Sequence, residues 1–241
     1  MSQYHFLEAI IMNIFEEFYL KTQNFTFTVI PDNYPKEYNN VKIIPLPKPR
    51  EIVESFHKVI TTRSSVRRFT EEKVDINVIS DLLYYSVGVR KKEGEVIYRM
   101  FPSAGGLAET EVYLVPFISD LEVGIYHYNP LSHSLEKLNT EIELEILKSD
   151  IVSSIPDINV IPLLIILTAR YWKTLAKYGN RGARFVFIDI GIVMENFYLV
   201  ATALKLGICA VGGFNDYIFN RALDLKNNEA VLGILVVGKR N

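Results

Sequence analysis

An α+β fold, a sheet covered by helices, is what this chain predicts, and three observations carry the prediction. "IPLLIILT", Ile161–Thr168, is a continuous apolar run of strand length, which suits a strand buried on both faces. Ile76, Ile79, Leu82 and Leu83 recur at helical spacing within Asp75–Val87. Between these two segments, "EVYLVPF", "GIYHY" and "HSLEKL" read as short strands joined by turns.

The elements follow in order. Leu7, Ile10, Ile11, Ile14, Phe15 and Phe18 give an amphipathic N-terminal helix. "FTFTVI" after it is ambiguous between a strand and an arm, and the prolines of "PDNYP" and "PLPKPR" favour extended chain. Residues 1–50 therefore read as an extension wrapping the main domain or its twin in a dimer, and residues 51–241 as that domain. Within it, Glu51–Thr61 and Asp75–Val87 are predicted helices, and the strands "GIYHY" and "HSLEKL" turn through "NP". After Ile161–Thr168 come a helix over Arg184–Leu206, a strand "ICAVGG", a short helix and a last strand "AVLGILVVG". No repeat or low-complexity segment interrupts this order.

Composition narrows the classes. At 241 residues, 49% hydrophobic and 22% charged, the chain is globular with a sizeable core. A net charge of −2 speaks against nucleic acid, whose binders carry an excess of Lys and Arg. The single cysteine, Cys209, has no internal disulfide partner and sits in an apolar run, as a small buried side chain does. "MSQYHFLEAI" lacks basic residues before its apolar stretch and meets Glu8 early, unlike a secretory signal. Phe185–Ile208 is the most membrane-like segment, yet it carries Asp189, Glu195 and Asn196. A central acidic residue costs roughly 2.5–3.5 kcal/mol on insertion, so a buried core helix is the better reading. A soluble, cytoplasmic protein without a membrane partner is expected.

Standard catalytic motifs are missing: no GxGxxG follows a strand, and there is no P-loop, G-x-S-x-G elbow or paired cysteine. His127 and His133 in "YHYNPLSH" read as a surface hairpin pair and not as metal ligands, so no metal is expected. What stands out is "RSSVRRF", which puts three arginines into seven residues. In an extended segment Arg63, Ser65 and Arg67 share one face, opposite Ser64, Val66 and Arg68. Two guanidinium forks flanking a hydroxyl suit a phosphate or carboxylate, although a solvated basic loop has the same composition. "FPSAGG", Phe101–Gly106, and "VGGF", Val211–Phe214, are turns whose small residues let a flat ligand lie on the backbone. Lys239 follows the last predicted strand. Together these features describe a site for a planar, phosphorylated cofactor.

The blocks "TTRSSVRRF", "YRMFPSAGGLAETEVYLV", "GIYHYNPLSHSLEKL", "KYGNRGARFVFIDIG" and "CAVGGFND" occur in the order typical of nitroreductase-like flavoproteins. More narrowly the chain resembles their SagB-type branch, the azoline dehydrogenases, over roughly Glu51–Arg240. The resemblance implies a central mixed sheet covered by helices and FMN at the interface of a homodimer. It implies Arg63, Ser64, Ser65 and Arg67 at the FMN phosphate, ribityl and pyrimidine end, with Lys239 near the phosphate. It places Pro102, Ser103, Ala104 and Gly105 on the isoalloxazine from the partner subunit, and Gly212 and Gly213 near flavin N5. Lys177 and Tyr178 match the branch's catalytic Lys-Tyr pair. Aromatising an azoline removes a proton and a hydride, so a desolvated lysine suits the base and a tyrosine suits proton handling.

Two departures fall on the expected substrate side. Ala108-Glu109 stands where the branch has His-Pro, and Ile192 and Glu195 stand where it has His and Gln. The resemblance thus favours oxidation of azolines in modified peptides. An NAD(P)H-driven reductase of nitroaromatics or quinones stays open, as does an idle flavin-binding subunit of a peptide-modifying complex.

Overall fold

The structure, a computed structural model, describes residues 14–140 and 142–240. Leu7, Ile10 and Ile11 of the predicted first helix lie outside the described residues; residues 14–21 are helical and form α1. The next elements are β1 (Lys42–Pro45), α2 (Phe56–Thr62), α3 (Ile76–Val87), the hairpin β2 (Val89–Glu93) and β3 (Val96–Arg99), and β4 (Thr110–Pro116). They are followed by β5 (Ile125–Asn129), β6 (Ser134–Leu138), α4 (Leu144–Ser154) and β7 (Leu163–Ala169). The chain ends with α5 (Trp172–Tyr178), α6 (Gly182–Ala203), β8 (Leu206–Val211), α7 (Asp216–Ala222) and β9 (Ala230–Lys239).

Seven strands make one sheet in the order β1-β6-β5-β4-β7-β9-β8. Every ladder in it is antiparallel, where a mixed sheet was expected. The reason is the last strand. The long α5–α6 crossover would leave β7 and β8 parallel, but β9 inserts between them and runs against both. The predicted run at Ile161–Thr168 is β7, whose seven residues are all buried.

Helix α6 crosses the sheet with Val186, Ile190, Val193, Phe197 and Ala201 buried, a stripe at helical spacing. It is long and apolar enough to span a bilayer, yet this stripe is packed in the core. Phe187 and Ile188, on another face, are 57% and 55% exposed.

Two boundaries differ from the sequence reading for local reasons. Helix α2 starts at Phe56 and not Glu51, because Ser55 is its N-cap and accepts the Lys58 N–H at 3.2 Å. Asp75 caps α3 in the same way, through the Asn77 N–H at 2.7 Å. The hairpin β2–β3 and α4 had no counterpart in the sequence reading.

Residues 22–38 form an extended arm without a strand ladder, which resolves the ambiguity of "FTFTVI". Side chains of the main domain fasten it at several points. Arg184 Nε donates to Thr22 Oγ1 at 2.6 Å, and Lys173 Nζ donates to the Tyr34 carbonyl at 2.8 Å. Further along, β1 pairs with β6, so the N-terminal extension supplies an edge strand of the main sheet.

His127 and His133 are not a surface pair. His127 is fully buried between Glu136 (2.8 Å) and Glu111 (3.2 Å), because β4, β5 and β6 bring all three to one face of the sheet. Burial alone would lower its pKa, but the two carboxylates raise it. Lys36, Arg170 and Glu229 complete this cluster. Its three acids face three bases when His127 is protonated, and all are hydrogen-bonded. His133 is half-buried against Ser80 Oγ at 2.8 Å, and burial pushes its pKa down.

Candidate functional site

The predicted site residues fall into two groups, one at each end of α6. Near its N-terminal end, the turn after β3 bends back on itself, with Gly105 (φ 61°), Gly106 (φ 70°) and Ala108 (φ 47°) in left-handed conformation. Ser103 holds the bend from inside: its carbonyl accepts the Gly106 N–H and its hydroxyl accepts the Ala108 N–H at 2.9 Å. Asp189, about two helix turns inside α6, accepts the Ala104 N–H at 2.7 Å.

Lys177 and Tyr178 end α5 directly against this turn. Lys177 Nζ donates to the Gly105 carbonyl at 3.1 Å. A Cβ on Gly105 would collide with both Lys177 Nζ and Tyr178 Oη, so only glycine permits the approach. The Tyr178 ring is set by aromatic neighbours, with Phe185 at 5.0 Å and Phe25 and Phe27 of the arm at 5.8 and 6.3 Å between centroids. Thr26 of the arm lies over Gly179, the left-handed residue that ends α5.

Space adjoins the turn on two sides. A cleft of about 530 Å³ is lined by Ile30, Asp32, Tyr34, Val96, Tyr98 and Gly105. Another of about 320 Å³ reaches Phe101, Pro102 and Ser103 past Arg99. Asn33 fixes the walls of the first cleft: its side-chain amide donates to the carbonyls of Ile97 (2.8 Å) and Gly106 (3.2 Å).

The second group lies toward the C-terminal end of α6, where Arg63–Arg67 runs extended beside β8, tied by the Val66 N–H to the Ile208 carbonyl at 2.8 Å. The alternation of faces is visible. Val66 packs on Gly207, whereas Ser65 Oγ meets Tyr198 Oη at 3.0 Å and the Arg63 guanidinium lies 5.3 Å over the Tyr198 ring. Arg67 stands close enough to Cys209 to offset part of the upward push that burial gives its thiol. Ser64, Ser65, Arg67 and Arg68 are exposed.

Tyr198 Oη also accepts the Ala210 N–H at 2.8 Å. If the phenol passes its own hydrogen to Ser65, the serine hydrogen is left to point outward. Sequence reasoning missed Tyr198, which reads there as one more core aromatic.

Gly212 and Gly213 leave the end of β8 exposed, and nothing stands within 4 Å of the position a Gly212 side chain would take. Lys239 is less available, since its ammonium pairs with Glu72 at 2.9 Å. Within one chain the two groups are not brought together. Asp189 and Tyr198, which mark them, are nine residues apart on α6, about 14 Å along the helix axis.

Residues 60–239 match the sequence profile of the nitroreductase family. The chain is 32% identical over 203 residues to the candidate nitroreductase MJ1384 of Methanocaldococcus jannaschii, covering 82% of this chain and 96% of that one. It is 25% identical over 167 residues to the microcin B17-processing protein McbC of Escherichia coli, covering 67% of this chain and 61% of McbC. Among solved structures, a chain of the E. coli microcin synthetase McbBCD complex with truncated pro-MccB17 bound superposes with a TM-score of 0.65 at 21% identity, over 100% of this chain and 98% of that one.

Proposed function

The chain belongs to the nitroreductase family, and from that premise we propose that it is an FMN-dependent oxidoreductase working as a homodimer, with an azoline in a modified peptide as its substrate. The observation that carries this reading is the convergence of Lys177 Nζ and Tyr178 Oη on Gly105, where a side chain would displace both groups and strain a left-handed backbone. The likeness to McbC, a microcin-processing protein, favours the peptide substrate and a peptide-modifying complex as its setting.

The residues present fit FMN. Arg63 and Arg67 supply fixed positive charge, Ser65 supplies a directed hydroxyl donor, and Ser64 adds a second hydroxyl. Gly212 and Gly213 offer backbone that a flat ring can approach. Pro102, Ser103, Ala104 and Gly105 give a small-residue surface held rigid by Ser103 and Asp189. Lys239, engaged by Glu72, has the smaller share of the phosphate. Bound FMN would supply two-electron chemistry.

The chain's own part is proton handling and positioning. Lys177 takes the substrate proton on Nζ as a neutral amine, which the Gly105 carbonyl steers by accepting one of its N–H groups. Tyr178, clamped by three aromatic rings, orients that step with its hydroxyl. The arm, through Ile30, Asp32 and Asn33, walls the cleft beside them.

Two features support the homodimer. Phe187 and Ile188 of α6 are exposed, as are Phe15 of α1 and Phe25 and Phe27 of the arm, large apolar side chains that call for cover. The two site groups also lie at opposite ends of one helix, and a two-fold axis lets the turn of one chain complete the arginine end of its partner. The name of the archaeal relative favours a second reading, a reductase of nitroaromatics or other small molecules. Steady-state oxidation of an azoline-containing peptide, run beside NAD(P)H-dependent reduction of a nitroaromatic, separates the two. Azoline turnover supports the first reading; nitroaromatic turnover alone replaces it with the second.

A further inference from the structure

A buried pair of acids stands at the foot of the glycine-rich turn. Glu109, at the entrance to β4, is 0% exposed, and Asp189 on α6 is 3% exposed. Among the described residues, neither carboxyl oxygen of Glu109 receives a hydrogen bond from a donor group with good geometry. The groups that face it are the Asp189 carboxyl from α6 and the Thr174 hydroxyl from α5; the Ala104 N–H of the turn faces Asp189. No lysine, arginine or histidine stands among these neighbours.

Two adjacent carboxylates cannot both stay ionised in such a place, because each charge would lack solvent and repel the other. With one proton between them, the protonated carboxyl donates to its neighbour, and a single negative charge remains to accept the Ala104 N–H. The balanced cluster around His127 shows the alternative this protein uses elsewhere, a base for each buried acid. Here none is supplied.

The two acids stand at the two ends of the turn. Asp189 holds Ala104 at its start, and Glu109 follows the strained Ala108 (φ 47°) at its finish. Lys177 binds the carbonyl of Gly105 between these two anchors. We infer that Glu109 and Asp189 share one proton, and that this shared proton positions the Pro102–Gly106 turn against Lys177 and Tyr178. Burial and the neighbouring Asp189 push the Glu109 carboxyl up to about 8, and burial raises Asp189 as well. The pair therefore keeps its proton at neutral pH and releases it in mildly alkaline solution. The doubly charged pair then splits and the turn loosens. Glu109 is thus a positioning residue, and the role rests on the reading of the turn as part of the reactive site.

The test needs neither flavin nor substrate. Infrared spectroscopy of the full chain at neutral pH should show the band of a protonated, buried carboxyl that is missing from Glu109→Gln. Amide-exchange protection of Ala104–Gly106 should fall at least about tenfold as pH rises through 8 in the wild type. It should stay level in Glu109→Gln, whose side-chain amide donates to Asp189 at every pH. Asp189→Asn provides the same check should the first variant not fold. Where turnover is measured, the alkaline limb of the pH profile should flatten in Glu109→Gln. Absence of the carboxyl band, or an equal fall of protection in wild type and both variants, overturns the inference. A failure of flavin binding would leave these readings unchanged, so the two accounts fail separately.

Discussion

The two ends of α6 are built on opposite principles. At the N-terminal end the turn, Lys177, Tyr178 and Asp189 are locked by internal hydrogen bonds, a glycine contact and aromatic packing. At the C-terminal end Ser64, Ser65 and Arg67 are exposed, and the order comes from one phenol, Tyr198, and one strand, β8. The first end is finished by the chain itself; the second is cationic and open to solvent. Chemistry that depends on ångström-level geometry belongs at the first end, and binding that a ligand's own charge can complete belongs at the second. Substitutions at the two ends should therefore separate turnover from cofactor affinity.

The largest effect is expected at the finished end. Lys177→Ala should lower turnover by about 10²- to 10⁴-fold, the usual contribution of a positioned acid–base group, while FMN content stays unchanged. Tyr178→Phe keeps the ring among Phe25, Phe27 and Phe185, so its loss in a steady-state assay reports the hydroxyl alone. A loss of bound flavin in either variant would break the division between the ends.

At the open end, Arg67→Ala and Arg63→Ala should each weaken FMN binding by about 10- to 150-fold in a titration of the apo-protein, as expected for a charge-assisted contact. Arg68→Ala should cost less, and equal losses for all three would refute the alternation of faces. Tyr198→Phe should weaken FMN by roughly 2- to 12-fold, one neutral hydrogen bond's worth, by leaving Ser65 without its partner.

The smallest difference concerns stability and pH. Glu109 keeps its proton in the folded chain up to about 8, against an ordinary carboxyl value of 4.5. The native state therefore holds an extra proton between these values, and its stability falls as pH rises through that window. His127, raised above 6.5 by Glu111 and Glu136, adds a fall of the same sign as pH passes its folded value. Denaturant unfolding across this range should show a shallower slope for Glu109→Gln than for the wild type, with the contribution of His127 left in place.

The fold was legible wherever one element's own pattern determined it. β7 announced itself as an apolar run, α3 by its spacing, and the turn by its glycines. The hairpin β2–β3 was not legible, because "VRKKEGEVIYR" is charged and largely exposed and thus lacks a buried face to pattern. Helix α4 buries only Leu147 and Ile151, too thin a stripe to register. In the site, the arginines, glycines and Lys177–Tyr178 were visible as residue types in short blocks. Glu109 and Asp189 were not recognisable as a pair, since they stand 80 positions apart and only the packing of α6 on the glycine-rich turn makes them neighbours. His127 was misread for the same reason: the two glutamates that justify its burial come from other strands.

The central claim, that the open end is completed by a flavin, is tested most directly by the colour of the purified protein. The account predicts a yellow solution with a flavin absorbance spectrum, from which denaturation releases FMN in about equal number to the chains. A colourless protein that takes up no added FMN would contradict it.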